Sequence, residues 1–189
     1  MGDFQDVFGA GADEILELLA KVLLGPGNEC VFAWPSFAMY PIVTRGMGAT
    51  PVPVPLDGEF VHDLPAMAAA IGASTKLVIL CNPNNPTGTS VGCEAFESFM
   101  TLVPEDVVVA IDEACFEFAQ REDFPEAMPW VARRPGTIVM RTFSKVFGLA
   151  GYLPLIGFGV WGMRLITKRA VVAPFWRMLA LLLAAIAAG

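Results

Sequence analysis

Apolar positions recur along the chain with two different periods, and the periods alternate. From Asp13, the residues Ile15, Leu18, Leu19 and Val22 fall at i, i+3, i+4 and i+7, which predicts one face of a helix. Glu17 and Lys21 form an i,i+4 pair on the opposite face, and Gly25-Pro26-Gly27 ends the pattern. "ECVFA" reads as a short buried strand. "SFAMYPIVTRGMG" can hold a helix, with Pro41 limiting where it begins or kinks. The prolines of "TPVPVPL" suit an edge or irregular strand. Then follow a helix in "DLPAMAAAI", a strand in "KLVILC", the turn-rich "NPNNPTG", a helix in "CEAFESFMTLV" and a strand in "DVVVAI" that ends at Asp112. "EAMPWVARR" predicts a helix up to a break near Pro135, and "TIVMRTF" one more strand.

Strands that alternate with helices and are apolar on both faces predict an α/β fold. The architecture is three-layered, a mainly parallel sheet with helices on both faces. Residues 1–160 are expected to form this domain, and 161–189 a divergent apolar helical tail of the same domain or of an interface.

Composition narrows the picture. With 189 residues, 55% of them hydrophobic and only 16% charged, the chain can build one sizeable core and is expected to turn some apolar surface to a partner. The net charge of −7 and the lack of a basic stripe argue against nucleic acid. Cys30, Cys81, Cys93 and Cys115 have no metal-ligand spacing, and with a single histidine no metal site is expected. They fit reduced thiols in a cytoplasm better than a secreted disulfide framework. The N-terminus has no basic region followed by an apolar core, so it does not read as a signal peptide. Residues 170–189 are apolar and long enough to span a bilayer, but Pro174 and Arg177 interrupt them. The favoured reading is a packed helix, with no membrane partner.

Candidate chemistry gathers at strand ends. Ligands of open α/β sheets sit beyond the carboxyl ends of the strands. Three such ends carry polar groups here: Asn82 to Gly88, Asp112-Glu113 and Ser144-Lys145. "GAGADE" adds glycines before a helix N-terminus, a place for a phosphate. Singly, each feature has a plainer explanation: a solvated lysine, a strand-end cap, a tight loop. Together, a lysine, an acid, an amide donor and a phosphate cradle match the needs of pyridoxal 5'-phosphate, with Lys145 as a buried imine-forming amine. His62 in "FVHDL" has no partner motif and is expected to be a polar loop residue. The four tryptophans are expected to pack.

"CNPNNPTGT", "VVVAIDEACFEF" and "RTFSKVFGLAG", in this order, resemble the class I/II aminotransferases of pyridoxal-phosphate fold type I. "WPSFAMYPIVTRGMGATPVPVPLD" is similar to histidinol-phosphate aminotransferase within that class. The resemblance covers about residues 9–151 and implies a role for each matching position. Lys145 would form the Schiff base and shuttle a proton between the α-carbon and C4′. Asp112 would pair with the pyridinium nitrogen, and Asn85 would hydrogen-bond the phenolic oxygen. Ala12 and Asp13 would offer backbone N–H groups to the phosphate, Ser144 its hydroxyl, and Phe37 would stack on the ring. Two positions depart from the pattern: Cys115 stands where the family carries Tyr, and Leu153 where it carries a phosphate-binding Arg.

The implied reaction joins a small-molecule amino donor and a 2-oxo acid. L-histidinol phosphate and 2-oxoglutarate would give imidazole-acetol phosphate and glutamate. Aromatic amino-acid transamination is the alternative, and a non-catalytic remnant of the fold another. The resemblance also implies a homodimer, an N-terminal segment and a second, small domain. The chain is expected to lack the last two, as a form truncated at both ends.

Overall fold

The computed structural model describes residues 7, 9, 11–142 and 145. The chain divides into two units, residues 1–151 and 152–189. The second unit, the expected boundary near residue 160 and the apolar tail lie outside the described residues.

In chain order the elements are α1 (Ala12–Leu23), β1 (Glu29–Trp34), α2 (Met39–Gly46), β2 (Thr50–Pro55), α3 (Leu64–Ala69) and β3 (Thr75–Cys81). Then come α4 (Cys93–Leu102), β4 (Val108–Asp112), α5 (Met128–Arg133) and β5 (Thr137–Met140). The strands form one sheet in the order β2-β1-β3-β4-β5, and every pairing is parallel.

Strand parity assigns each side chain to a layer. On β3, Leu77, Ile79 and Cys81 face one core with Leu16 and Ala20 of α1 and Tyr40 and Val43 of α2. Val78 and Leu80 face the other core, with Met67 of α3 and Phe96, Phe99 and Met100 of α4. The expected three layers are therefore present, with α1 and α2 on one face and α3 and α4 on the other.

The helical stripe of α1 is rotated from its expected position. Leu16 and Ala20 are buried, Ile15, Leu19 and Leu23 pack partly, and Leu18 and Val22 are exposed. Ala20 has no bulk to hold the helix away from the sheet, so the contact line runs through it rather than through the larger Leu18 and Val22. Glu17 and Lys21 do pair, at 2.7 Å on the exposed side, an arrangement worth only a few tenths of a kcal/mol.

Pro41 falls in the first turn of α2, where a missing N–H costs nothing. β2 is an edge strand, as its prolines predict. The amides of Thr50 and Leu56 donate to Asn28 and Trp34 beside and along β1. Even-numbered peptides thus face β1, and Pro51, Pro53 and Pro55 face the open side. β5 is shorter than "TIVMRTF" suggests, because Arg141 leaves the ladder to pair with Glu113.

Arg134 is buried and closes the entry to β4 by donating to the carbonyls of Pro104 and Val107. Asp63 caps α3, accepting from the amide of Ala66 at 2.9 Å. Among the described residues, no helix is long and apolar enough to cross a membrane.

Phe99, 1% exposed between α4 and the sheet, measures the strength of this second core. Phe99→Ala is expected to cost about 3–5 kcal/mol in urea unfolding, whereas Val22→Ala on the exposed face of α1 stays within about 0.5 kcal/mol.

Candidate active site

Because all strands run the same way, the ends of β1, β3, β4 and β5 share one rim. Cys81 stands opposite Asp112 in the ladder, and Asp112 opposite Met140. Asp112 has the parity of Val108 and Ala110, so its carboxylate turns toward the α1 and α2 face. There Tyr40 donates to Oδ2 at 2.7 Å, and the amide of Ala114 donates to Oδ1 at 3.0 Å. Asp112 is only 2% exposed. Burial pushes its pKa up, Tyr40 and Ala114 oppose this by bonding to the charged form, Asp13 adds to the rise, and Lys145 counters it.

Lys145 therefore lies on the same rim as Asp112, close enough to favour its ionised form and to act on Cys115 as well. It is exposed, where a buried amine is expected. β5 ends at Met140, which leaves Lys145 beyond the layers that bury Asp112. Ser144 lies outside the described residues, as does Leu153.

The asparagine-rich turn divides its labour. Asn82 accepts from the amide of Val91 at 3.0 Å. Asn84 is a tie between loops: it donates to the carbonyl of Pro35 and to Thr87, and it accepts from Ser36 at 2.7 Å. Both are 2% exposed. Asn85 is half-buried, and its backbone N–H favours the charged form of the Cys81 thiol, against the larger effect of burial. Gly88 closes the turn at φ 73°, with its amide on the Asn84 carbonyl.

Phe37 is half-buried just past β1, its ring edge-on to Tyr40 with centroids 5.7 Å apart. Ala12 and Asp13 open α1 behind Gly11, whose φ of 99° and missing side chain leave the first amides without a side-chain cap. Asp13 is near enough for its charge to push the Asp112 pKa up. Cys115 is half-buried, its thiol pushed up by burial and by the neighbouring acids.

Two groups here add to the sequence reading, one absent from it and one placed on the rim without a partner. Tyr40 is one: the parity of β4 together with a helix after β1 is the signal that points to it. The other is Glu113, 2% exposed and paired through Oε2 with Arg141 Nε and Nη2, both at 2.8 Å. Arg141 also lies over the Phe116 ring, 4.0 Å from its centroid. His62, expected as a polar loop residue, is buried, and neither ring nitrogen has a partner at hydrogen-bonding geometry. Burial lowers its pKa, with Asn84 and Asp57 nearby favouring the charged form less strongly.

Comparisons with known proteins show the family. The family model "Aminotransferase class I and II" matches residues 5–154. The chain belongs to the class I and II aminotransferases. It is 47% identical over 156 residues to histidinol-phosphate aminotransferase 2 of Pseudomonas fluorescens, a match covering 82% of this chain and 41% of that protein. It is 49% identical over 155 residues to the aromatic amino acid aminotransferase of Corynebacterium diphtheriae, covering 82% of this chain and 45% of that protein. The chain thus spans less than half the length of the curated relatives it matches. The crystal structure of histidinol-phosphate aminotransferase from Sinorhizobium meliloti, in complex with pyridoxal-5'-phosphate, superposes with a TM-score of 0.68 at 32% identity. That match covers 76% of this chain and 39% of the other.

Two titrations follow. Arg141→Met leaves the Glu113 carboxylate buried without its partner, so stability should fall by about 1–3 kcal/mol at pH 7. Glu113 already has a raised pKa in the fold. The native state therefore holds its proton to higher pH than the unfolded chain, and the penalty should shrink as pH falls toward 4.5. For His62 the sign is opposite. The unfolded chain takes up a proton below about pH 6.5 that the native state refuses, so stability falls as pH drops. The stability of wild type relative to His62→Gln, measured by urea unfolding at several pH values, should fall on that side of neutrality.

Proposed function

We propose that the protein is a pyridoxal-phosphate-dependent aminotransferase of the histidinol-phosphate type. It would exchange an amino group between L-histidinol phosphate and 2-oxoglutarate, giving imidazole-acetol phosphate and glutamate. The observation that carries the reading is the buried Asp112 carboxylate on the same rim as the Lys145 amine.

The residues present fit the cofactor. Both Asp112 oxygens have one donor each, and of the charged groups that act on it Lys145 is the cation and Asp13 an anion. A protonated ring nitrogen would supply the positive charge that this carboxylate lacks. The uncapped amides of Ala12 and Asp13 suit a phosphate. When bound, pyridoxal phosphate supplies an aldehyde for an amine and a ring that withdraws electrons from the substrate's α-carbon.

This chain's groups would do the rest. Asp112 would hold the proton on the ring nitrogen, and Asn85 would donate to the phenolic oxygen. Phe37 would cover one ring face and exclude water. Ser144 would add its hydroxyl to the phosphate. Lys145 Nζ would carry the proton between the α-carbon and C4′. Cys115 offers only a weak donor where the family has a tyrosine.

The 49% identity to an aromatic aminotransferase favours a second reading on the same scaffold, with phenylpyruvate as the amino acceptor. A homodimer in the cytoplasm is the proposed setting. The exposed Val22 and Ile42 of α1 and α2 support a partner surface.

The test uses the full chain with added pyridoxal phosphate. A visible absorbance band and a borohydride-trapped mass adduct on Lys145 are expected, and both should vanish in Lys145→Ala. A colourless wild type with no adduct would overturn the reading. Competition between imidazole-acetol phosphate and phenylpyruvate decides between the two substrate classes.

A further inference from the structure

The roles proposed above leave Tyr40 unused, although its side chain is the one that reaches Asp112 from another element. Tyr40 is 0% exposed. A phenol in so dry a place costs more than a phenylalanine unless its hydroxyl finds a partner. The partner here is Oδ2 of Asp112, with Cys81 also within the hydroxyl's reach. An ionised carboxylate can only accept, so the sense of the Tyr40 bond is fixed while Asp112 is charged.

We propose that Tyr40 is a positioning residue for this site: its hydroxyl keeps Asp112 ionised and aimed at the rim, so that a basic ring nitrogen docked there retains its proton. The inference rests on the cofactor reading given above.

The geometry carries it in three ways. First, Tyr40 and Ala114 occupy opposite oxygens, which fixes the plane of the carboxylate. Second, the other charged or titratable groups near Asp112 do not replace the missing donor. Asp13 of α1 and Glu113 beside it repel its charge, Cys81 of β3 and Cys115 are protonated thiols, and Lys145 acts through its field. Third, Phe32 and Phe37 flank the Tyr40 ring at 5.9 and 5.7 Å, which walls the phenol with hydrocarbon. Removing the hydroxyl therefore leaves a buried carboxylate one donor short, and a proton on Asp112 becomes the cheaper state.

The test is Tyr40→Phe in the full chain without cofactor, with the carboxyl carbons of aspartate labelled for NMR and Asp112→Asn used for assignment. The Asp112 midpoint should rise by about one to two pH units in Tyr40→Phe, the size expected for one charge-assisted bond. A variant that is merely less stable, with an unmoved midpoint, overturns the proposal.

If Tyr40→Phe does not fold, the wild type still decides. The chain has two tyrosines, so Tyr152→Phe assigns the Tyr40 ζ-carbon resonance. That resonance should follow the Asp112 midpoint and lose this dependence in Asp112→Asn. A resonance flat across the range overturns the proposal.

Added pyridoxal phosphate separates the two readings. A tenfold or greater loss of affinity in Tyr40→Phe supports both. A raised midpoint in a chain that binds no cofactor leaves the Tyr40–Asp112 coupling standing and removes the cofactor reading.

Discussion

Asp112 carries its charge to the mouth of a parallel sheet, and a carboxylate that far from water must be given its donors by the fold. Much of the described architecture meets that demand. β4 must be buried on both faces to bring Asp112 there, α2 must cover the face its parity selects, and the chain must turn at Ala114 to present an amide. The charge is uphill in this environment, and the site keeps a position where an opposite charge is favoured. A surface aspartate would be easier to ionise and less selective about what approaches it.

Around this point the loops are bound to one another rather than to the sheet alone. Asn84 joins the loop after β1 to the loop after β3, and Glu113 joins the ends of β4 and β5 through Arg141. Each tie crosses between strand ends that lie far apart in sequence. The rim is therefore set by polar side chains, while the apolar layers beneath set the strand order. Within the asparagine-rich turn, Asn82 and Asn84 make these structural bonds.

The fold was largely legible in the sequence because burial on two faces leaves long β-branched runs, as in "KLVIL" and "DVVVAI", and because proline marks β2 so plainly. The shared rim was legible too, since parallel strands put every carboxyl end on one side. Other features needed coordinates. The face of α1 turned on how closely Ala20 lets the helix approach, which periodicity alone does not encode. Tyr40 reads as one more aromatic until its distance to Asp112 is known. Glu113 reads in the sequence as a polar group at the end of β4, and only the return of Arg141 from the next strand shows it as a buried, paired one. Lys145 illustrates the reverse case: its place beyond the end of β5 is readable from its neighbours, its exposure is not.

The three prolines of β2 have an effect outside the site. On the open side of the sheet they remove the amide protons that an incoming strand would need at three successive outward positions. A sheet this apolar would otherwise offer its rim as a template for fibrils, in which strands of neighbouring molecules stack without end. Alternating proline closes the β2 edge to that growth, and it does so without placing a single charge on the strand.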